Sequence, residues 1–89
     1  MLTTSQKKQL KGIASTLTIK YQLGKNEISD SVIKMLENAI VAHELIKIDV
    51  MKSVAQPTME LALDLASRLN AEIVEVIGRV IVLFRRNKE

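Results

Sequence analysis

The sequence predicts a single α/β domain in the order α-β-α-β-α-β-β, with three helices and a four-stranded mixed sheet. Three observations carry this. Apolar residues recur at helical spacing in three stretches, 4–15, 29–43 and 57–69. Apolar and polar residues alternate with a period of two at 17–23 and 44–51. Two β-branched runs, Ile73 to Ile77 and Val80 to Phe84, are separated only by Gly78-Arg79. Strands separated by helices imply partly parallel pairing through right-handed crossovers, and the closing hairpin adds an antiparallel pair. With 89 residues and no linker, repeat or low-complexity stretch, 1–89 reads as one compact domain.

Each element has its own warrant. The first helix runs from about Thr4 to Ser15, capped by Thr4 or Ser5, with Leu10, Ile13, Ala14 and Leu17 on one side. Gly12 lowers helix propensity by roughly 1 kcal/mol relative to alanine, so it marks a close packing contact or a close approach to a ligand. The first strand is Leu17 to Leu23, where Leu17, Ile19, Tyr21 and Leu23 alternate with Thr18, Lys20 and Gln22. The second helix, about Ser29 to His43, is capped by Ser29 or Asp30 and carries Val32, Met35, Leu36, Ala39, Ile40 and Val41 as its apolar side. The second strand is Glu44 to Met51. Pro57 suits the first turn of the third helix, where a missing N–H is harmless. Met59, Leu61, Ala62, Leu65, Ala66 and Leu69 form that helix's apolar side, and Asn70 ends it. Gly78 takes the first central position of the final hairpin turn.

Nearly half the residues, 47%, are hydrophobic, which supplies a core and argues against disorder. Tyr21 and Phe84 are the two aromatic residues, so leucine, isoleucine, valine, alanine and methionine must build that core. Met35, Met51 and Met59 are expected to fill gaps in it. The net charge of +3 is unevenly placed. Residues 1–26 hold five lysines and no acid; residues 27–84 hold five bases against nine acids; residues 85–89 hold three bases and one acid. If the two ends lie together they make one basic face, suited to nucleic acid or another polyanion. The plainer reading is a solubilising lysine helix and a basic tail.

Several function classes fall away. With no cysteine there is no disulfide, thiolate nucleophile or zinc-thiolate site. His43 is the one histidine, so one chain cannot offer a histidine pair to a metal. At the end of the second helix His43 reads as a partner for the helix dipole rather than a general base. Glu60, Asp64 and Arg68 lie one helical turn apart, the pattern of a solvated helix face. No nucleophile elbow is present, and Gly24-Lys25 lacks the Walker A spacing. We therefore expect no enzyme activity, no catalytic or metal-binding residues, no cofactor and no small-molecule substrate. No secretory leader is visible, and no apolar run approaches the ~20 residues that span a bilayer. A cytoplasmic protein without a membrane partner is expected.

The strongest candidate site is Leu23-Gly24-Lys25-Asn26-Glu27, between the first strand and the second helix. A strand that turns on glycine into a helix gathers backbone N–H groups at the positive end of the helix dipole. Lys25 adds mobile charge, so the turn suits a phosphate; alternatively Gly24 serves the turn alone. KH domains use a glycine loop to hold RNA backbone without reading bases. With so few aromatics, backbone contact is expected to outweigh base stacking.

Four segments resemble one known family. Lys8-Gln9-Leu10-Lys11-Gly12-Ile13-Ala14 looks like its opening Lys-x-Leu-(Lys/Arg)-(Gly/x)-x-Ala helix. Leu23-Gly24-Lys25-Asn26, followed by Ile28-Ser29, looks like its Gly-Lys-x-Gly-Leu-Thr loop. His43-Glu44-Leu45-Ile46-Lys47-Ile48 looks like its His-Glu-Leu-(Ile/Val)-Lys-Val segment. Val76-Ile77-Gly78-Arg79-Val80-Ile81-Val82-Leu83-Phe84-Arg85 looks like its closing Val-Ile-Gly-x-x-x-Val-Leu-Tyr-Arg hairpin. The family is the CRM domain (chloroplast RNA splicing and ribosome maturation), in its stand-alone bacterial YhbY-like form. The resemblance implies a fold similar to the C-terminal domain of translation initiation factor three. It also implies binding to ribosomal RNA in precursors of the large ribosomal subunit, in aid of ribosome assembly. On that reading Gly24, Lys25 and Asn26 hold RNA phosphates, and Lys7, Lys8, Lys11, Arg85 and Arg86 extend the surface. Two positions depart from the family pattern: Glu27 stands where the loop has its second glycine, and Phe84 where the hairpin has tyrosine. The alternative is a protein-interaction module that docks on a ribosomal protein or assembly factor without touching RNA.

Overall fold

The computed structural model describes residues 2–17, 21–24, 29–54 and 56–86. The elements follow the expected order: α1 (Thr4–Ser15), β1 (Tyr21–Leu23), α2 (Asp30–His43), β2 (Leu45–Val50), α3 (Thr58–Leu69), β3 (Glu72–Ile77) and β4 (Val80–Phe84). The expected first strand is longer than β1; Leu17 lies outside it, and Thr18 to Lys20 fall outside the described residues.

The helix ends show which local chemistry prevailed. The cap of α1 is Thr3, not Thr4 or Ser5. Gln6 N–H donates to Thr3 Oγ1 at 3.1 Å, and Thr3 N–H donates to Gln6 Oε1 at 2.9 Å. A capping box needs an acceptor three residues after the cap; Thr3 has Gln6 there, whereas Thr4 and Ser5 would have lysines. Ser29 caps α2 through Val32 N–H. Pro57 stands just before α3, one residue earlier than expected, and offers no side-chain cap. Asn70 ends α3 in the left-handed region, at φ 54°, which asparagine tolerates better than most residues.

The sheet order is β1-β2-β4-β3. β1 pairs parallel with β2, placing Tyr21 opposite Ile48 and Leu23 opposite Val50. β4 pairs antiparallel with both β2 and β3, so it is slotted between two strands that run the same way. The hairpin turns on Gly78 at φ +56°, the positive value its first central position requires. The chain moves across the sheet in one direction, β1 to β2 to β3. Two crossovers of the same hand then lay α2 and α3 on the same face.

Alternation along the strands divides the core accordingly. Ile46, Ile48, Val50, Ile81 and Leu83 meet Leu36, Ala39 and Ile40 of α2 and Leu61, Ala62, Leu65 and Leu69 of α3. On the other face Leu45, Val74 and Val82 meet Ala14, with Leu2, Leu10, Leu17, Val80 and Phe84 packed around them. A bulge between Ile73 and Glu75 in β3 serves this thinner side. It puts Val74 into the α1 cluster while Glu75 reaches Lys11 of α1 at 3.6 Å. Lys47, on the α1 side of β2, donates to the Ala14 carbonyl at 3.1 Å and supplies the cation that the C-terminal end of α1 lacks.

Two expectations are corrected. Met35, Met51 and Met59 do not fill the core; they are 41%, 45% and 53% exposed. The branched aliphatics already close it, leaving no gap for a flexible side chain. Gly12 makes no close packing contact either: a Cβ there would meet no heavy atom within 4 Å.

Candidate nucleic-acid interface

The expected site residues fall into two groups at opposite ends of the sheet. Leu23 is level with Val50 at the C-terminal end of β2, and Met51 N–H donates to the Leu23 carbonyl at 3.0 Å. Gly24 therefore stands at that end. Arg85 and Arg86 follow Phe84, which is level with Leu45 at the start of β2. At about 3.3 Å per residue, the length of β2 separates the two ends by roughly 17 Å. Lys25, Asn26 and Glu27 lie outside the described residues.

At the Gly24 end, the fold makes little demand for glycine. Its backbone is not in the left-handed region, and a Cβ would meet Met51 Sδ at 3.8 Å, an ordinary contact. The β3–β4 turn arrives at the same place. Val50 N–H donates to the Arg79 carbonyl at 2.7 Å, and Arg79 Nη1 donates to the Met51 carbonyl at 3.4 Å. Arg79 and Lys52 are both exposed there. Reading the sequence alone missed these two bases. Arg79 was visible as a turn residue, but its nearness to Gly24 depends on β4 pairing with β2 as well as with β3.

At the other end, the start of α1 meets the end of β4. Leu2, just before α1, and Gln6 in its first turn line the same cavities as Phe84 and Arg86. Lys8 and Lys11 are exposed on α1 and Lys7 is half-buried; Lys11 is shared with Glu75. Arg86 is exposed.

Arg85 belongs to the scaffold. Its Nη1 and Nη2 donate to Glu37 Oε1 and Oε2 at 3.0 and 2.9 Å, and Nη1 also donates to the Leu69 carbonyl at 2.9 Å. With its side chain 19% exposed, it ties the end of β4 to α2 and to the last turn of α3. The hydrogen bond and charge of Arg85 hold the Glu37 carboxyl below the usual carboxylate range. Nothing local in the sequence announces this bridge, because Glu37 is 48 residues away.

His43 is the last residue of α2, as expected, and is exposed. Among the described residues, no group of three or more histidines, cysteines and acids is arranged to hold a metal ion. No helix there is long and apolar enough to cross a membrane.

Residues 2–85 match the CRS1 / YhbY (CRM) domain. The chain belongs to the CRM domain family. It is 36% identical over 89 residues to the "Probable RNA-binding protein YqeI" of Bacillus subtilis, covering 100% of this chain and 93% of that protein. It is 34% identical over 88 residues to an "RNA-binding protein" of Haemophilus influenzae, covering 99% and 89% of the two chains. The solution structure of the hypothetical protein SAV1595 from Staphylococcus aureus superimposes with a TM-score of 0.83 at 36% identity, over 100% of this chain and 93% of that one. The α-β-α-β-α-β-β order of this CRM domain therefore has a solved counterpart along its full length.

Proposed function

We propose that this CRM domain is a non-enzymatic RNA-binding protein that acts on ribosomal RNA in precursors of the large ribosomal subunit and aids ribosome assembly. The observation that supports the RNA reading is that Arg86 lines one cavity with α1, the helix that carries exposed Lys8 and Lys11 on its other sides. The names of the relatives support it. Gly24 supports a second phosphate contact, with Lys25 and Asn26 following it in sequence. Since the fold tolerates a Cβ there, the bare backbone is free to serve close approach to a phosphate. Arg79 and Lys52 extend that contact, and Arg85 acts by holding the end of β4 that carries Arg86.

Equilibrium binding to single-stranded RNA across a salt series tests the reading. Lys25→Glu and Gly24→Ala are expected to weaken binding while leaving thermal unfolding nearly unchanged. Replacing Lys7, Lys8 and Lys11 by alanine is expected to flatten the plot of log affinity against log salt by about 0.7 for each phosphate no longer engaged. Affinity that ignores salt and all these changes would overturn it. Crosslinking in cells, with the bound fragments sequenced, tests the target: fragments should cluster in large-subunit ribosomal RNA.

One observation favours the second reading, a protein-docking module. Met59 and Leu63 stand one turn apart on α3, both exposed and apolar. Binding that survives nuclease treatment and depends on Leu63 would mark that reading as the correct one.

A further inference from the structure

Between α1 and the end of β4 lies a cavity of about 420 Å³, lined by Leu2, Gln6, Gln9, Leu10, Phe84 and Arg86. Its size falls within the ~300–1,000 Å³ typical of small-ligand sites. It adjoins a second cavity, of about 320 Å³, that shares Leu2, Gln6, Phe84 and Arg86. Gln6, Gln9, Leu10 and Ile13 follow one stripe of α1, at i, i+3, i+4 and i+7. This explains why Ile13, expected in the core, is 53% exposed: it borders an open cavity.

The lining is unlike the rest of the basic surface. Phe84 brings an aromatic ring to the lining, half-buried and packed against the α1-side cluster. Arg86 offers a planar cation that can stack or pair with phosphate. Gln6 Oε1 is engaged by Thr3 N–H, which fixes the carboxamide, while exposed Gln9 supplies both an amide donor and an acceptor. Glu72, the acid of the adjoining cavity, accepts from Leu2 N–H at 2.9 Å. An aromatic ring, amides able to pair with base edges and an exposed cation match a flat, polar-edged, anion-bearing ligand.

Resting on the RNA reading above, we infer that this cavity takes one unpaired base of a single-stranded RNA, stacked on Phe84, its edge met by Gln9 and its phosphate by Arg86. The domain then contacts RNA in two ways: through bases at this end and through backbone at the Gly24 end.

The test uses the full chain and short single-stranded oligoribonucleotides of one base type, each compared with the same oligonucleotide carrying abasic positions. A 2-aminopurine version reports stacking by fluorescence. The intact protein should prefer the base-bearing RNA and change the 2-aminopurine signal. Phe84→Leu, with thermal unfolding as the check on folding, should lower affinity for base-bearing RNA about 5-fold or more. Its affinity for abasic RNA and its salt dependence should stay the same. Gln9→Ala, at an exposed position that the fold does not need, should lose part of the same preference. If the intact protein binds base-bearing and abasic RNA equally, or the variants weaken both alike, the pocket is overturned while the RNA reading stands. If the intact protein binds neither at low salt, both fall together.

Discussion

The two faces of the sheet are built to different ends. On the α2/α3 face, fourteen described residues form a buried cluster; on the α1 face, four do. The larger face is closed by aliphatic packing, and its edge is tied by Arg85. The α1 face is held at separate points, by Lys47 beneath the end of the helix, Lys11 against Glu75, and Leu2 N–H on Glu72. It leaves bases exposed and a cavity open. In one layer the side chains are used up in making the domain stable. In the other, enough packing holds α1 in place while most of its polar groups stay available to a partner.

The sharpest way to break this contrast is to remove equal volumes from each side. Leu65 on α3 is fully buried, and Leu65→Ala is expected to cost about 2–5 kcal/mol. Leu10 on α1 is only partly buried, and Leu10→Ala should cost clearly less, because its site keeps contact with solvent and can relax. Urea unfolding of both variants decides it. Equal losses would mean that packing on the α1 side stabilises the domain as strongly as packing on the other.

A middle-sized effect is expected at Arg85. Arg85→Ala removes a two-pronged pair with Glu37 and leaves the Leu69 carbonyl without that donor. The pair is partly solvent-screened, so about 1–2 kcal/mol is expected, mainly from the carbonyl. Arg85→Lys should not restore it, since an ammonium cannot reproduce the planar fork. The pH dependence has a definite sign. Arg85 lowers the folded-state carboxyl of Glu37, so this contribution is present above the ordinary carboxylate range and fades as pH falls through the lowered folded value. The stability of Arg85→Ala should fall less between neutral and acid pH. A variant as stable as the parent but poor in RNA binding would instead return Arg85 to the exposed basic surface.

The contrast between faces was only partly legible in the sequence. The elements were readable because period, cap and turn signals are local: Asn70 after Leu69 and Gly78-Arg79 between two β-branched runs need no tertiary knowledge. Thr3 is also legible as the cap, because Gln6 offers an acceptor three residues on where Thr4 and Ser5 have lysines. The exposure of Met35 and Met59 is not legible, because helical spacing marks an apolar side without saying how wide a stripe the neighbouring elements cover; Met51 is exposed because it stands one residue past the end of β2. The site suffered most from distance in sequence. The link from Arg85 to Glu37, and the approach of Arg79 to Gly24, exist only because β4 is inserted between β2 and β3. The family resemblance compensated for this at the level of fold, since four short motifs in order mark a shared topology, but it said nothing about which cations the topology would occupy internally.

The smallest expected effect is the most diagnostic for α1. Gly12 is helical, exposed and surrounded by open space, so Gly12→Ala should add stability: about 0.4–1 kcal/mol, from the reduced freedom of the unfolded chain. Nothing in the packing opposes it. If the fold were the whole reason for the residue, RNA binding would be unchanged. If instead RNA backbone passes close over α1 at Gly12, beside Lys8 one turn earlier, the added methyl group should raise stability and lower affinity in the same variant. Opposite signs from one substitution would separate the use of this face in folding from its use in binding.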